Sequence, residues 1–260
     1  MMTQPHPPET SKTLRAPIIA GVFIFLATLI ASIPASAISL FADKSGGALS
    51  YAEARGTIWK GELSSVSVGG IALGDVGFRL APLSLLRLSP EMTLSANGAV
   101  RGSGTVSLGG ERASLRNVKA DINLATVAVR GLLGEPAQGE ARLDIERLDF
   151  SLKDGCRQAS GSLWTNALDG PTKRYNLPPL PLSGRVACEG DKLAVTLAGE
   201  NVQMAADLRL LLNPALTYEV TATARASEEN IASALRVFGF EDDNGALTYG
   251  SAGVLTGAGS

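Results

Sequence analysis

The sequence predicts a mainly β protein: a long curved antiparallel sheet with one C-terminal helix, preceded by a single N-terminal transmembrane helix. Three observations carry that expectation. Apolar and polar residues alternate with a period of two along much of the chain after residue 55. Glycine-rich turn signals recur at intervals of roughly ten residues, as hairpins require. One long uncharged apolar run stands near the N-terminus.

That run comes first in the chain. Ala16 to Ala42 holds no charged residue and is bounded by Arg15 and Asp43, and Ile18 to Ile33 is nearly all apolar. A spanning helix needs about 20 such residues. Lys12 and Arg15 precede it and Lys44 and Arg55 follow it, so the positive charges do not set its orientation. The short tail and the large mass downstream suit a cytoplasmic tail of residues 1–15, a signal-anchor over 16–42 and an exported β domain over 43–260. The competing reading is a cleavable signal peptide, because Ala35-Ser36-Ala37 fits the small-x-small cleavage pattern. Against cleavage, the apolar core is longer than the roughly 7–15 residues of a signal h-region.

Strands follow. Val202, Met204, Ala206, Leu208, Leu210 and Leu212 are apolar at every even position, with Gln203, Asp207 and Arg209 between them. After an Asn213-Pro214 turn the alternation returns from Leu216 to Ala224. Ala141, Leu143 and Ile145 repeat it, and the phase slips at Glu146-Arg147 before resuming at Leu148 and Phe150. One inserted residue in an alternating run is the signature of a β-bulge. Turn signals stand at Gly69-Gly70, Gly109-Gly110, Asp154-Gly155, Glu189-Gly190-Asp191 and Asn244-Gly245. About a dozen strands fit between residues 55 and 225, and a sheet that long must curl, split or flatten.

One helix stands out near the end. Ser227 is the expected N-cap, Glu228 and Glu229 sit at the positive end of the dipole, and Gly239 can serve as C′. Ile231, Ala234, Leu235 and Phe238 form an i, i+3, i+4, i+7 face. That face either closes the sheet's end or docks a partner through Ile231, Leu235 and Phe238. Shorter helical turns are expected near Pro82–Leu88 and Thr126–Leu133.

Composition excludes much chemistry. The chain has 260 residues, 29 glycines, 18% charged residues and 5% aromatics. Mean hydropathy is +0.16, which argues against disorder. A net charge of −2 leaves no electrostatic footprint for nucleic acid. The single histidine, His6, lies in the Pro-rich tail, so no histidine triad, His-rich zinc site or histidine proton shuttle can form in the main domain. No carboxylate pair is distinguished by context. No enzyme, cofactor or metal site is expected.

Cys156 and Cys188 are the only cysteines, an even pair in a segment expected to be exported. An oxidising compartment favours a disulfide between them, and two inert thiols are the alternative. Gly56-Thr57-Ile58-Trp59-Lys60-Gly61 suggests a strand whose ends need unusual backbone or a close approach. It is not a phosphate loop, because Glu62-Leu63 follow where Lys-Ser/Thr would be needed. Asp242-Asp243-Asn244-Gly245 lacks the spacing of a calcium loop and reads as a polar turn. Trp164, in Gly161-Ser162-Leu163-Trp164, is expected to pack on the sheet near the Cys156 segment.

The order of these landmarks carries a resemblance. An apolar anchor is followed by Gly56-Thr57-Ile58-Trp59-Lys60-Gly61, then Ala81-Pro82-Leu83-Ser84-Leu85-Leu86, then Cys156 with Gly161-Ser162-Leu163-Trp164, then Cys188-Glu189-Gly190. Leu235-Arg236-Val237-Phe238-Gly239-Phe240 and Gly245-Ala246-Leu247 close the series. Over about residues 14–257 the chain resembles the type II secretion system protein N family, with Gly56, Trp59, Gly61 and Trp164 as motif positions. It departs from the family at Phe78 in Gly77-Phe78-Arg79-Leu80, where a Trp is frequent, which touches packing more than function. The resemblance implies a bitopic inner-membrane protein of a Gram-negative bacterium with its bulk in the periplasm. It implies a non-enzymatic accessory part in the export of folded proteins across the outer membrane. Implied partners are the inner-membrane platform, the protein C subunit and the secretin. The resemblance further implies a fold similar to that of AsmA-like proteins.

That last likeness supplies the alternative function, a periplasmic lipid-binding or lipid-conduit protein. The even-numbered apolar residues of 202–224 discriminate the two. Packed beneath covering elements they are core; lining a long open groove they would favour lipid.

Overall fold

The alternation resolves into one antiparallel sheet of fifteen strands among the described residues. The computed structural model describes residues 28, 32–38, 49–68, 71–85, 89–109, 111–126, 138–151, 153–174, 176–215 and 217–254. Strands β1 (Leu49–Ser50), β2 (Glu53–Thr57), β3 (Lys60–Val68), β4 (Ile71–Leu80) and β5 (Glu91–Asn97) come first. Next are β6 (Val100–Gly109), β7 (Arg112–Asn123), β8 (Glu140–Ser151) and β9 (Gly155–Thr165). Then come β10 (Leu182–Glu189), β11 (Lys192–Glu200), β12 (Met204–Leu212) and β13 (Thr217–Ala226), and last β14 (Glu241–Asp243) and β15 (Ala246–Val254). From β3 to β13 each strand pairs with its neighbours in sequence; β1 and β2 both pair with β3, and β15 lies between β13 and β14. Twelve strands, β2 to β13, lie between Glu53 and Ala226.

The period-two pattern explains the pairing. In β5, Met92, Leu94 and Ala96 are half-buried while Glu91, Thr93, Ser95 and Asn97 are exposed. The phase slip in β8 is a bulge: Ile145 pairs with Gly161, yet Arg147 pairs with Ser160, leaving Glu146 as the extra residue. Val202 does not join β12. It is 87% exposed, because the Asn201 side chain accepts hydrogen bonds from the Gln203 and Met204 amides (2.9 and 2.8 Å) and turns the chain there.

The expected helix is present as Glu229–Val237, but its cap is shifted by one residue. Glu228 rather than Ser227 occupies the N-cap and makes no side-chain cap bond. Ser227 is held elsewhere, since its N–H donates to the Gln203 carbonyl at 2.9 Å and ends the β12–β13 pair. With Pro82–Leu85 as α1 and Asp169–Arg174 as α2, this helix is α3. The turn expected over Thr126–Leu133 lies outside the described residues beyond Thr126.

Apolar packing gathers at the two ends of the strand order. Leu63, Val66, Val76 and Phe78 form one buried cluster with Ala35. Leu180, Leu182, Leu197, Met204 and Ile231 form a second, and Ala224, Ala232, Phe240 and Leu247 a third. Burying one such large side chain contributes about 1.5–3 kcal/mol. The second cluster depends on a strap, Leu177 to Pro181, that sequence reading missed. Asp169 Oδ1 accepts from the Leu180 N–H at 3.2 Å and Asn201 Nδ2 donates to the Pro178 carbonyl at 3.0 Å. Leu180 is thereby fully buried.

Most of the segment expected to span a membrane, residues 16–42, lies outside the described residues. Its later part is described and packs on the sheet. Ala35–Ile38 is a 3-10 helix, Pro34 bridges Thr57, and Ala35 is 1% exposed. Packing against the domain therefore begins ahead of residue 43. No helix among the described residues is long and apolar enough to cross a membrane.

Candidate functional site

The Gly56–Gly61 motif is a hairpin, not a single strand. Gly56 and Gly61 are cross-strand partners in β2 and β3, and Ile58-Trp59 forms the turn between Thr57 and Lys60. Gly56 has φ +94°, a conformation that side chains disfavour. A Cβ on Gly61 would lie 2.5 Å from the Arg55 carbonyl oxygen and 2.6 Å from Phe78 Cζ. Both glycines thus permit close approach, and Phe78 fills the space that Gly61 leaves. Trp59 is half-buried, and its carbonyl accepts from the Leu80 N–H at 2.9 Å. Beside it, the Ile58 N–H donates to the Ile33 carbonyl at 3.0 Å. The hairpin turn thus sits where the N-terminal segment meets the sheet.

The opposite end of the strand order carries α3. Ile231 and Ala232 are its buried residues, and Leu235 and Phe238 pack as partly buried members of the two C-terminal clusters. The Ile231–Leu235 face is turned onto the sheet and covers Met204, Ala206 and Leu208. The helix's exposed apolar residue is Val237, at 81%. Arg236 ties α3 to β14: its Nε donates to Asp242 Oδ2 at 2.8 Å and its Nη1 to Glu229 Oε1 at 2.6 Å. Those hydrogen bonds, donated first to Asp242 and then to Glu229, hold the Arg236 guanidinium protonated well above its ordinary range. The Arg236 bond likewise holds the Asp242 carboxyl below the usual carboxylate range.

Cys156 and Cys188 are joined by a disulfide, with Cα atoms 5.5 Å apart and 32 residues of sequence separation. The bond ties β9 to β10, beyond the last ladder pair of Ser160 with Ala187. The Cys156 N–H also donates to the Asp191 carbonyl at 2.7 Å, at the β10–β11 turn.

Trp164 departs from expectation. It lies at the far end of β9 from Cys156, paired with Arg142 and Ser183. The Arg142 guanidinium stands 5.1 Å above its ring centroid, so Trp164 belongs to a polar row rather than to the core. Arg142 also bridges Asp121 (3.4 Å) and Glu140 (3.6 Å). Lys119 pairs with Asp144 at 3.2 Å one row along. Exposed pairs of this kind contribute about 0–1 kcal/mol each; they keep this face of the sheet polar and fix its register.

Two recesses open on that polar face. One, of about 740 Å³, includes Glu91, Thr105, Ser107, Arg112, Arg116 and Arg157. The other, of about 610 Å³, includes Ser183, Arg185, Thr196, Asp207, Arg209 and Thr221. Hydroxyls and charged side chains dominate the walls of the first, and in the second they stand beside Leu197, Ala198 and Leu208. Among the described residues no group of three or more His, Cys, Asp or Glu side chains could hold a metal ion.

The family described as type II secretion system (T2SS), protein N, matches residues 47–249. That span is narrower at both ends than the range over which the landmarks resemble the family, and it takes in every strand from β1 to the middle of β15. No curated protein and no solved structure matches the chain. The single sheet with its glycine hairpin, its one disulfide and its closing helix is the region matched, and the chain belongs to the type II secretion system protein N family.

Proposed function

We propose that this protein is a non-enzymatic accessory component of the type II secretion machinery, anchored in the inner membrane by its N-terminal apolar segment. In this reading the sheet lies in the periplasm and supports export of folded proteins across the outer membrane. Its partners are other components of that machine: the inner-membrane platform, the protein C subunit or the secretin. The observation that carries the reading is the family match across the sheet, from residue 47 to 249. The uncleaved anchor draws support from Ala35. At 1% exposure it is part of the first core cluster, and cleavage after Ala37 would remove it.

Deletion of the protein tests the role. Secretion of type II substrates should fall, or the levels of machine subunits should shift. Normal secretion with every subunit at its usual level would overturn it. The alternative, an AsmA-like lipid-binding protein, is less well supported. Met204 and Ala206 pack with Ile231 of α3 and Leu180 of the strap, and the recess that Leu197 and Leu208 border is walled as well by Arg185, Asp207 and Arg209. Lipid retained in native mass spectra of the detergent-extracted protein would favour the alternative.

A further inference from the structure

We infer that the strand-end rim carrying Trp59, Leu83, Leu85 and Leu108 rests on the phospholipid bilayer from which the chain emerges, so that the sheet stands at a fixed orientation to the membrane. The inference rests on the uncleaved anchor proposed above and adds the surface that meets the lipid.

The hydrogen-bond network brings this rim together. The Ile33 carbonyl, at the end of the apolar run, accepts from Ile58 beside Trp59, and the Trp59 carbonyl accepts from Leu80 at the end of β4. Helix α1 follows directly, and the β5 strand returns from the same rim. The Leu108 N–H donates to the Pro90 carbonyl at 3.2 Å, placing the end of β6 alongside. The chain therefore leaves the sheet toward its apolar segment at the same rim that presents these side chains.

Exposure and charge then specify the partner. Leu83 is 76% exposed, Leu108 54% and Leu85 39%. These are three of the six large apolar side chains that stand exposed among the described residues. Scattered exposed leucines need no explanation, but a group beside a Trp at the exit of an apolar segment has the composition of a membrane interface. Next to them, Lys60 and Arg79 are directly opposed cross-strand partners. Both are exposed, and neither is among the ion pairs of the described residues. Like charges directly opposite one another destabilise a sheet. Anionic headgroups beside the leucines would relieve that repulsion, because basic residues are drawn to a negatively charged lipid surface. A protein partner would have to supply the same apolar and anionic pattern at the chain's exit point; the bilayer supplies both there already.

Tryptophan quenching tests this with the full chain reconstituted into vesicles of phosphatidylethanolamine and phosphatidylglycerol with brominated acyl chains. Trp164→Phe leaves Trp59 as the sole reporter, and Trp59→Phe leaves Trp164, which lies at the opposite strand end. Co-flotation with the vesicles is read in parallel. The expected result is co-flotation, loss of Trp59 emission to the bromolipid, and little loss of Trp164 emission. Leu83→Asp, at a side chain already in solvent, should lower the quenching of Trp59 without changing flotation. Co-flotation with Trp59 unquenched, or quenched no more than Trp164, overturns the rim while leaving the anchor standing. A chain that does not co-float overturns the anchor and the rim together.

Discussion

Gly56 and Gly61 face each other across the β2–β3 hairpin, and the Phe78 ring lies in the space that the second of them leaves. Neither position has room for a side chain, because each glycine is closed in by the opposite strand's backbone. The hairpin in turn holds Ile58 against the entering N-terminal segment and Trp59 against the end of β4.

Gly61→Ala is expected to destabilise the domain by about 1–3 kcal/mol, the range for forcing extra volume into a packed site. Its Cβ would meet the Arg55 carbonyl oxygen at 2.5 Å. Gly250→Ala is the control, since nothing lies within 4 Å of a Cβ there. Urea denaturation midpoints of the two variants check the difference.

Replacing both cysteines by serine should cost about 3–4 kcal/mol, the chain-entropy value for a loop of this length across the 32-residue separation of Cys156 and Cys188. Thermal unfolding with and without reductant measures it. The wild-type chain in reductant should approach the double variant, and the double variant should not respond to reductant.

In α3 the burial direction predicts opposite outcomes for two aliphatic truncations. Ile231→Ala removes a side chain that is 4% exposed and should cost about 2–5 kcal/mol. Val237→Ala alters one that is 81% exposed and should stay within about 0.5 kcal/mol. Equal effects in chemical denaturation would show that the helix does not close the sheet through this face.

Arg236 and Asp242 give a pH signature. The hydrogen bonds from Arg236 lower the folded-state pKa of Asp242. Any stability from the pair is therefore present above the unfolded carboxylate value and is lost as pH falls through the depressed one. Carboxyl carbon NMR should show Asp242 titrating below the usual range. In Arg236→Gln its midpoint should rise toward the ordinary value. Both groups are solvent-exposed, so the titration should move while overall stability changes little.

Much of the strand plan was legible because period-two alternation and turn chemistry are local. Asp154-Gly155 and Asn244-Gly245 stand at hairpin turns, and the extra residue at Glu146 appears as a register shift between β8 and β9. Other features depended on competition for hydrogen bonds. Ser227 would cap α3 if its backbone were not already paired with Gln203. Val202 fits the alternation of β12, but Asn201 takes the neighbouring amides and excludes it. Trp164 was expected to pack near Cys156, but strand register places it at the other end of β9, where Arg142 across the strand pair gives it a cation-facing polar setting. The Leu177–Pro181 strap carried only one signal, a Pro-rich segment with apolar residues at Leu177 and Leu180, and local patterns do not say which face such a segment will cover.

By itself the sequence determined the class of the protein: an antiparallel sheet, one amphipathic helix, a single cysteine pair and no histidine in the domain with which to build common catalytic sites. It did so because alternation, turn residues and the inventory of reactive side chains are properties of the chain taken a few residues at a time. Only the tertiary structure decided which apolar surfaces are closed and which remain open. Ile231 and Leu235 are covered because α3 folds back over the sheet, whereas Leu83 and Leu108 are left uncovered by the protein at the rim where Ile33 joins the hairpin. Burial depends on residues far apart in sequence meeting across the sheet, and that meeting is set by strand register and helix packing rather than by any local pattern.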